Sequence, residues 1–278
     1  IYTCINTLSL HDALPISVVR LERGLMADCG PPGARRWDFS LLQACGIIKL
    51  KTLEWRMPMI PLRDINPRRR FPLVTVGIIL LNILVFLYEL MLPTTRALDS
   101  LVYAWGLIPY RLMQLDVAAI LTVFTSMFLH SGFMHLAGNM LYLWIFGDNV
   151  ESAMGTLRFM VFYLLCGIGA ALGQVLVDPR SRIPMVGASG AISGILGAYL
   201  FLYPHAEVET LILFGYFARL VRLPALVVLG MWIVTQLLSG VLALGMQATG
   251  GVAWFAHIGG FFAGVLLVGL FRRKRWWE

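Results

Sequence analysis

An all-α, polytopic membrane bundle of six transmembrane helices is the fold class this sequence predicts, and three observations predict it. Hydrophobic residues make up 59% of the 278 residues and charged residues only 13%, where a soluble domain has about half and about a quarter. Apolar runs recur along the chain from Phe71 to Phe271, several of them near the roughly 20 residues that one crossing needs. Two basic clusters, Arg68-Arg69-Arg70 and Arg272-Arg273-Lys274-Arg275, flank the first and last of these runs. Such clusters mark the cytoplasmic ends of spans and meet anionic lipid there. The same clusters carry much of the net charge of +7. Nucleic acid is excluded as a partner, because no separate basic domain carries the charge; membrane lipid is the expected contact.

Residues 1–56 are expected to stand outside this fold, as a non-native or disordered N-terminal segment. They contain no membrane-length apolar run and lack the basic start, apolar run and small-residue cleavage site of a signal peptide. Thr7–Ile16 (TLSLHDALPI) resembles a translated sequencing adapter, so the expected start is Met57 or Met59 and the membrane domain 57–278. Cys4, Cys29 and Cys45 fall in this segment, and Cys166 lies inside an apolar run. Their spacing fits neither a metal site nor a disulfide framework.

The first span is Phe71–Leu92, with Asn82 and Glu89 as its strongly polar members. Val117–Leu129 is read as part of a long loop that dips into the membrane or lies on it. Phe133–Phe146 is the short second span, Phe159–Val177 the third and Ala188–Tyr203 the short fourth; Leu223–Met246 and Val252–Phe271 are the fifth and sixth. The short ones cross only with help from their flanks or a thinner bilayer. Six spans put both termini on one side, and the basic clusters make that side cytoplasmic. Spans 2, 4 and 6 then begin at the outer face.

That alternation gathers the polar residues. His135 and Asn139 fall in the first turns of span 2, Ser189 opens span 4, and His257 sits five residues into span 6. At 1.5 Å per residue, each is within about three turns of the outer surface. Polar groups in a span are costly and need a reason. Ser189 lies in Gly187-Ala188-Ser189-Gly190, where flanking glycines let another backbone approach. Free N–H groups at a helix start can hold an oxyanion. Read alone, Ser189 is a small packing residue, since Gly190, Ser193, Gly194 and Gly197 continue a stripe. His257 carries a matching stripe, Gly260 and Gly264, on its own face. Packing the two stripes together would bring the hydroxyl beside the imidazole. His135 and Asn139, four apart, share a face from which both can donate. His130 belongs to the preceding loop as a brace. The competing readings are interhelical packing for Asn139 and a zinc pair for the histidines; zinc is disfavoured for want of a third ligand at suitable spacing. The acids Asp99, Asp116, Asp148, Glu151, Asp178, Glu207 and Glu209 fall at helix ends or in loops, none at the depth of His257. A hydroxyl–imidazole dyad, without an acidic third member, is the expected chemistry.

The segments HSGFMHLAGN (130–139), GASG (187–190) and AHIGGFFAG (256–264), in that order on spans 2, 4 and 6, resemble the rhomboid intramembrane proteases, over roughly Met59 to Phe271. The resemblance, drawn to the bacterial members, implies a six-helix core in the bacterial inner (plasma) membrane and an endopeptidase that cuts transmembrane protein substrates. It implies Ser189 as nucleophile and His257 as general base. His135, Asn139 and the Ser189 backbone N–H would form the oxyanion hole, with His130, Gly187, Gly190, Gly260 and Gly264 in support. It implies no metal and no cofactor. Two positions depart from the family pattern. Ser193 stands where an aromatic residue usually supports the histidine ring, and Leu121-Thr122 stands where many members carry Trp-Arg. The loop 247–251 and the outer end of span 5 are candidates for a cap and gate. A noncatalytic rhomboid-like protein and a transporter with midplane polar groups are the rival readings.

Overall fold

The computed structural model describes residues 59–67, 71–114, 116–214, 217–244 and 252–273. The expectations for residues 1–56 and for loop 247–251 fall outside the described residues. Strand β1 (Met59–Asp64) leads to α1 (Leu73–Leu90). Three short helices follow, α2 (Thr95–Trp105), α3 (Pro109–Met113) and α4 (Val117–Thr125), with a 3₁₀ turn at Ser126–Phe128. Next come α5 (Phe133–Met154), α6 (Thr156–Val177) and α7 (Ser189–Leu202). A hairpin of β2 (Glu207–Phe214) and β3 (Phe217–Pro224) joins α7 to α8 (Ala225–Leu244), and α9 (Trp254–Phe271) ends the described chain.

Helices α1, α6, α8 and α9 are each long and apolar enough to cross a membrane. Leu84, Leu90, Leu238, Leu242, Leu266 and Leu270 expose more than half of their surface. In water a belt of this kind would be a severe aggregation liability; facing lipid, it is the expected outer surface of a polytopic membrane protein. The segment Val117–Phe128 and α5 also pass the length and composition test together, but an 82° bend separates them. Val117–Phe128 therefore turns off the axis of α5, as expected of a loop that dips or lies flat. Helix α7 has only fourteen residues, and its first eleven are all buried. It is the centre of the bundle, shielded from lipid by its neighbours.

Small residues set the packing of α9 on α7. A methyl group added at Gly260 would collide with the Gly190 carbonyl oxygen, one at Gly264 with that of Gly194, and one at Gly197 with that of Phe261. The two stripes read in the sequence thus meet backbone to backbone, with dispersion contacts in place of the hydrophobic drive that lipid removes. On the other side of α9, Gly173 and Gly259 meet in the same way against α6.

Two features differ from the sequence reading. Helix α5 continues eight residues past Phe146, so Asp148 and Glu151 lie inside its last two turns and are buried. This is possible because Glu151 is satisfied: its carboxylate accepts from the Val74 and Thr75 N–H groups at 3.0 and 2.8 Å and from the Thr75 hydroxyl at 2.8 Å. It caps the open N-terminus of α1 across the bundle. The second feature is a three-stranded antiparallel sheet, in the order β1-β2-β3. Met59 pairs with Ile212 and Glu207 with Pro224 at its limits. The sheet is tied to the helices where the Asp64 carboxylate accepts from Asn149 Nδ2 at 2.6 Å and the Tyr199 hydroxyl at 2.9 Å.

Candidate functional site

Ser189 is the first residue of α7, and the sequence explains why the helix starts there. Gly187 holds a φ of +123°, a conformation side chains rarely adopt, and its N–H donates to the Ser126 carbonyl at 2.8 Å. The first intrahelical bond of α7 runs from Ile192 N–H to the Ala188 carbonyl, so the Ser189 N–H precedes the ladder and is one of the open donors at a helix start. His257, on α9, reaches Ser189 because the Gly190–Gly260 contact draws the two helix starts together. Its Nε2 lies 2.8 Å from Ser189 Oγ. The imidazole is 3% exposed and the serine 8%, so the pair is shielded from bulk water.

The other ring nitrogen, Nδ1, lies 2.8 Å from Gln236 Oε1. Gln236 sits on α8 and is itself buried. Sequence reasoning missed this residue, although a signal was present: it is the one amide in the apolar run Leu223–Met246, and a strongly polar residue in a span calls for a reason. Trp232, one turn earlier on α8, and Trp254 on α9 flank the ring, with centroids 6.1 and 6.4 Å away. Both ring nitrogens are thus engaged, one by a hydroxyl and one by a neutral amide.

His135 approaches from α5. The point where a Gly187 side chain would begin lies 2.8 Å from His135 Nε2 and 3.7 Å from Ser189 Oγ, so imidazole and hydroxyl face each other across a gap that only glycine leaves open. Ser131 Oγ lies 3.0 Å from His135 Nδ1 and turns the other nitrogen toward that gap. Asn139 is fully buried on the same face and donates from Nδ2 to the His135 carbonyl at 2.9 Å. One of its two N–H bonds is engaged by that contact. His130 lies in the loop before α5. Its ring stands edge-on to His135 at 5.2 Å, and its backbone N–H donates to Glu89 on α1 at 3.1 Å. A cavity of about 50 Å³ opens beside Ser189, walled by Val123, Met127, Gly167, Ala170 and Met185. It has room for a few waters or a small side chain.

Comparison with known proteins decides the family. Residues 118–274, more than half of the chain, match the Rhomboid domain. The chain belongs to the rhomboid family.

Curated rhomboid relatives include the yeast (Saccharomyces cerevisiae) "Rhomboid protein 1, mitochondrial", 36% identical over 36% of this chain and 30% of the relative. "Rhomboid protease GluP" of Bacillus subtilis is 44% identical over 28% of this chain and 15% of the relative. "Rhomboid-like protein 11, chloroplastic" of Arabidopsis thaliana is 31% identical over 52% of this chain and 50% of the relative. The chain spans at most half the length of these relatives. They come from a bacterium, a fungus and a plant, so the match does not single out the bacterial members. In this rhomboid, the departure at Ser193 has a structural counterpart: its hydroxyl donates to the Ser189 carbonyl at 2.6 Å, within α7. The face of His257 is lined instead by Trp232 from α8. At the second departure, Leu121 is exposed and Thr122 turns inward to donate to the Ala119 carbonyl at 2.6 Å.

Proposed function

We propose that this rhomboid is an intramembrane serine endopeptidase that hydrolyses peptide bonds in or near the transmembrane segments of membrane proteins. The reading rests on one observation above all: the 2.8 Å contact between Ser189 Oγ and His257 Nε2 at the start of a buried helix. His257 takes the Ser189 proton as Oγ attacks the substrate carbonyl carbon. The negative oxygen of the tetrahedral intermediate is held by the Ser189 N–H, His135 Nε2–H and the second N–H of Asn139. His257 then passes its proton to the leaving amine nitrogen as the C–N bond breaks. The same ring then takes a proton from water as the water oxygen attacks the ester carbon, and gives it to Ser189 Oγ as the C–O bond breaks and the carboxylic acid product leaves. A carbonyl locked in a substrate helix is hidden in its hydrogen bond, so segments with Gly or Pro are preferred. The narrow cavity favours a small side chain next to the scissile bond.

The proposal includes six crossings, with α5 and α7 completed by their flanks, and both termini cytoplasmic by the basic clusters. It also takes the membrane domain to be 57–278 and the segment before it to be dispensable.

The test uses the purified chain in proteoliposomes with a transmembrane substrate containing a Gly-rich stretch. Cleavage lost in Ser189→Ala and in His257→Ala, together with fluorophosphonate labelling that maps to Ser189, is the expected result. Cleavage unchanged in either variant removes the dyad. A wild type that binds the substrate and leaves it intact is a noncatalytic rhomboid-like binder.

A further inference from the structure

We infer that Gln236 is the positioning residue for His257: its amide oxygen fixes the imidazole in the tautomer that leaves Nε2 free to accept the Ser189 proton. The inference rests on the proposed Ser189–His257 chemistry and adds a third member from α8.

A neutral imidazole carries one N–H, and only its other nitrogen can act as a base. With Gln236 Oε1 2.8 Å from Nδ1, the proton belongs on Nδ1 and the lone pair on Nε2, 2.8 Å from the Ser189 hydroxyl. The reverse amide orientation would put an N–H against Nδ1, force the ring proton onto Nε2 and point it at Ser189, where it could not serve as a base. The contact has few ways to relax. Gln236 is 2% exposed, and Trp232, four residues earlier on the same face of α8, packs against the ring. Neither neighbour on α7 competes for Nδ1, since Ser189 meets Nε2 and Ser193 bonds to the Ser189 carbonyl.

The chemistry of the amide suits its setting. A carboxylate beside Nδ1 would add a second ionised group to the interior of a membrane bundle, which is costly. The Gln236 carbonyl dipole accepts from Nδ1–H in the resting ring and again in the imidazolium formed during attack, and it carries no net charge. It touches neither substrate nor reacting atoms and acts through His257 alone.

Three measurements on the full chain in proteoliposomes test this. Gln236→Leu removes the acceptor; kcat is expected to fall at least tenfold with KM within about twofold of wild type, and Ser189 labelling by fluorophosphonate to slow in parallel. Gln236→Glu retains an acceptor oxygen of the same reach and is expected to recover most of the lost kcat. Nitrogen-15 NMR of histidine-labelled wild type, with His257 assigned by its loss in His257→Ala, is expected to show the proton on Nδ1. An Nε2-protonated His257 in the wild type overturns the inference, as does a Gln236→Leu variant with wild-type kcat. If the wild type itself shows no Ser189-dependent cleavage, the protease reading fails instead, and the tautomer measurement still decides the Gln236 contact.

Discussion

Helix α5 carries two buried polar regions, with His135 near its start and Glu151 near its end, about 24 Å apart at 1.5 Å per residue. At Glu151 the bonds converge: two N–H groups and a hydroxyl point at one carboxylate, which is thereby consumed in holding α1. At the other end the bonds run in a line, from Gln236 to His257 to Ser189, and the line stops at a hydroxyl beside a cavity. A polar residue inside a membrane bundle is therefore not by itself a sign of chemistry. Convergent satisfaction anchors, whereas an open-ended line leaves an atom free to react.

Substitutions at the two ends should separate these roles. Ser189→Ala is expected to reduce cleavage by at least about 10³-fold while leaving the melting temperature in detergent unchanged, because it ends the line without loosening the packing. Next in size, His135→Ala is expected to cost about 10²–10³ in kcat with little change in KM, since in the proposed mechanism it donates to the developing oxyanion. A change confined to KM would move His135 into substrate binding. At the anchoring end, Glu151→Ala strands the donors at the start of α1 and is expected to cost about 3 kcal/mol of stability. Thermal unfolding reads the loss, and activity per folded molecule should stay at the wild-type level. Lost activity without lost stability would break the contrast. Ser193→Ala removes one bond to the Ser189 carbonyl and is expected to cost about 1 kcal/mol or less in either readout; a large fall in kcat would give Ser193 a part in holding His257. Smallest, Arg222→Ala removes one of two arginine partners of Glu209, at 3.2 Å, and leaves Arg63 at 3.6 Å; about 0–1 kcal/mol is expected, and less at high salt.

The contrast also explains what the sequence could tell. The meeting of Ser189 with His257 was legible because their glycine stripes, spaced by the helical repeat, predict which faces must touch, and the stripes do pack together. The order of the long apolar helices was legible from hydrophobicity alone. The end of α5 was not: Asp148, Asn149 and Glu151 read as a break in an apolar run, and partners some 75 or more positions upstream, Asp64 for Asn149 and Val74 and Thr75 for Glu151, make those two compatible with a buried helix, while Asp148 accepts from Asn149 beside it. The sheet was obscured for a similar reason. Val208, Thr210 and Ile212 alternate with Glu207, Glu209 and Leu211, a short period-two signal next to a longer apolar stretch, and the partner strand β1 lies before α1, with helices α1 to α7 between the two. Gln236 was visible as a polar residue in span 5, but its partner could be found only once α8 was packed against α9.

The hairpin before α8 has a mechanical consequence. It returns the chain to the turn that follows α7, which clamps the first turn of α8: the Ala225 and Leu226 N–H groups donate to the Ala206 and Pro204 carbonyls at 2.8 and 2.9 Å. Gln236 stands eleven residues further on, a lever arm of about 17 Å. Pivoting about the clamp, each degree of tilt sweeps that amide by about 0.3 Å, so roughly five degrees breaks a 2.8 Å bond. A tilt of α8 of that size about this pivot would separate Gln236 from His257 Nδ1.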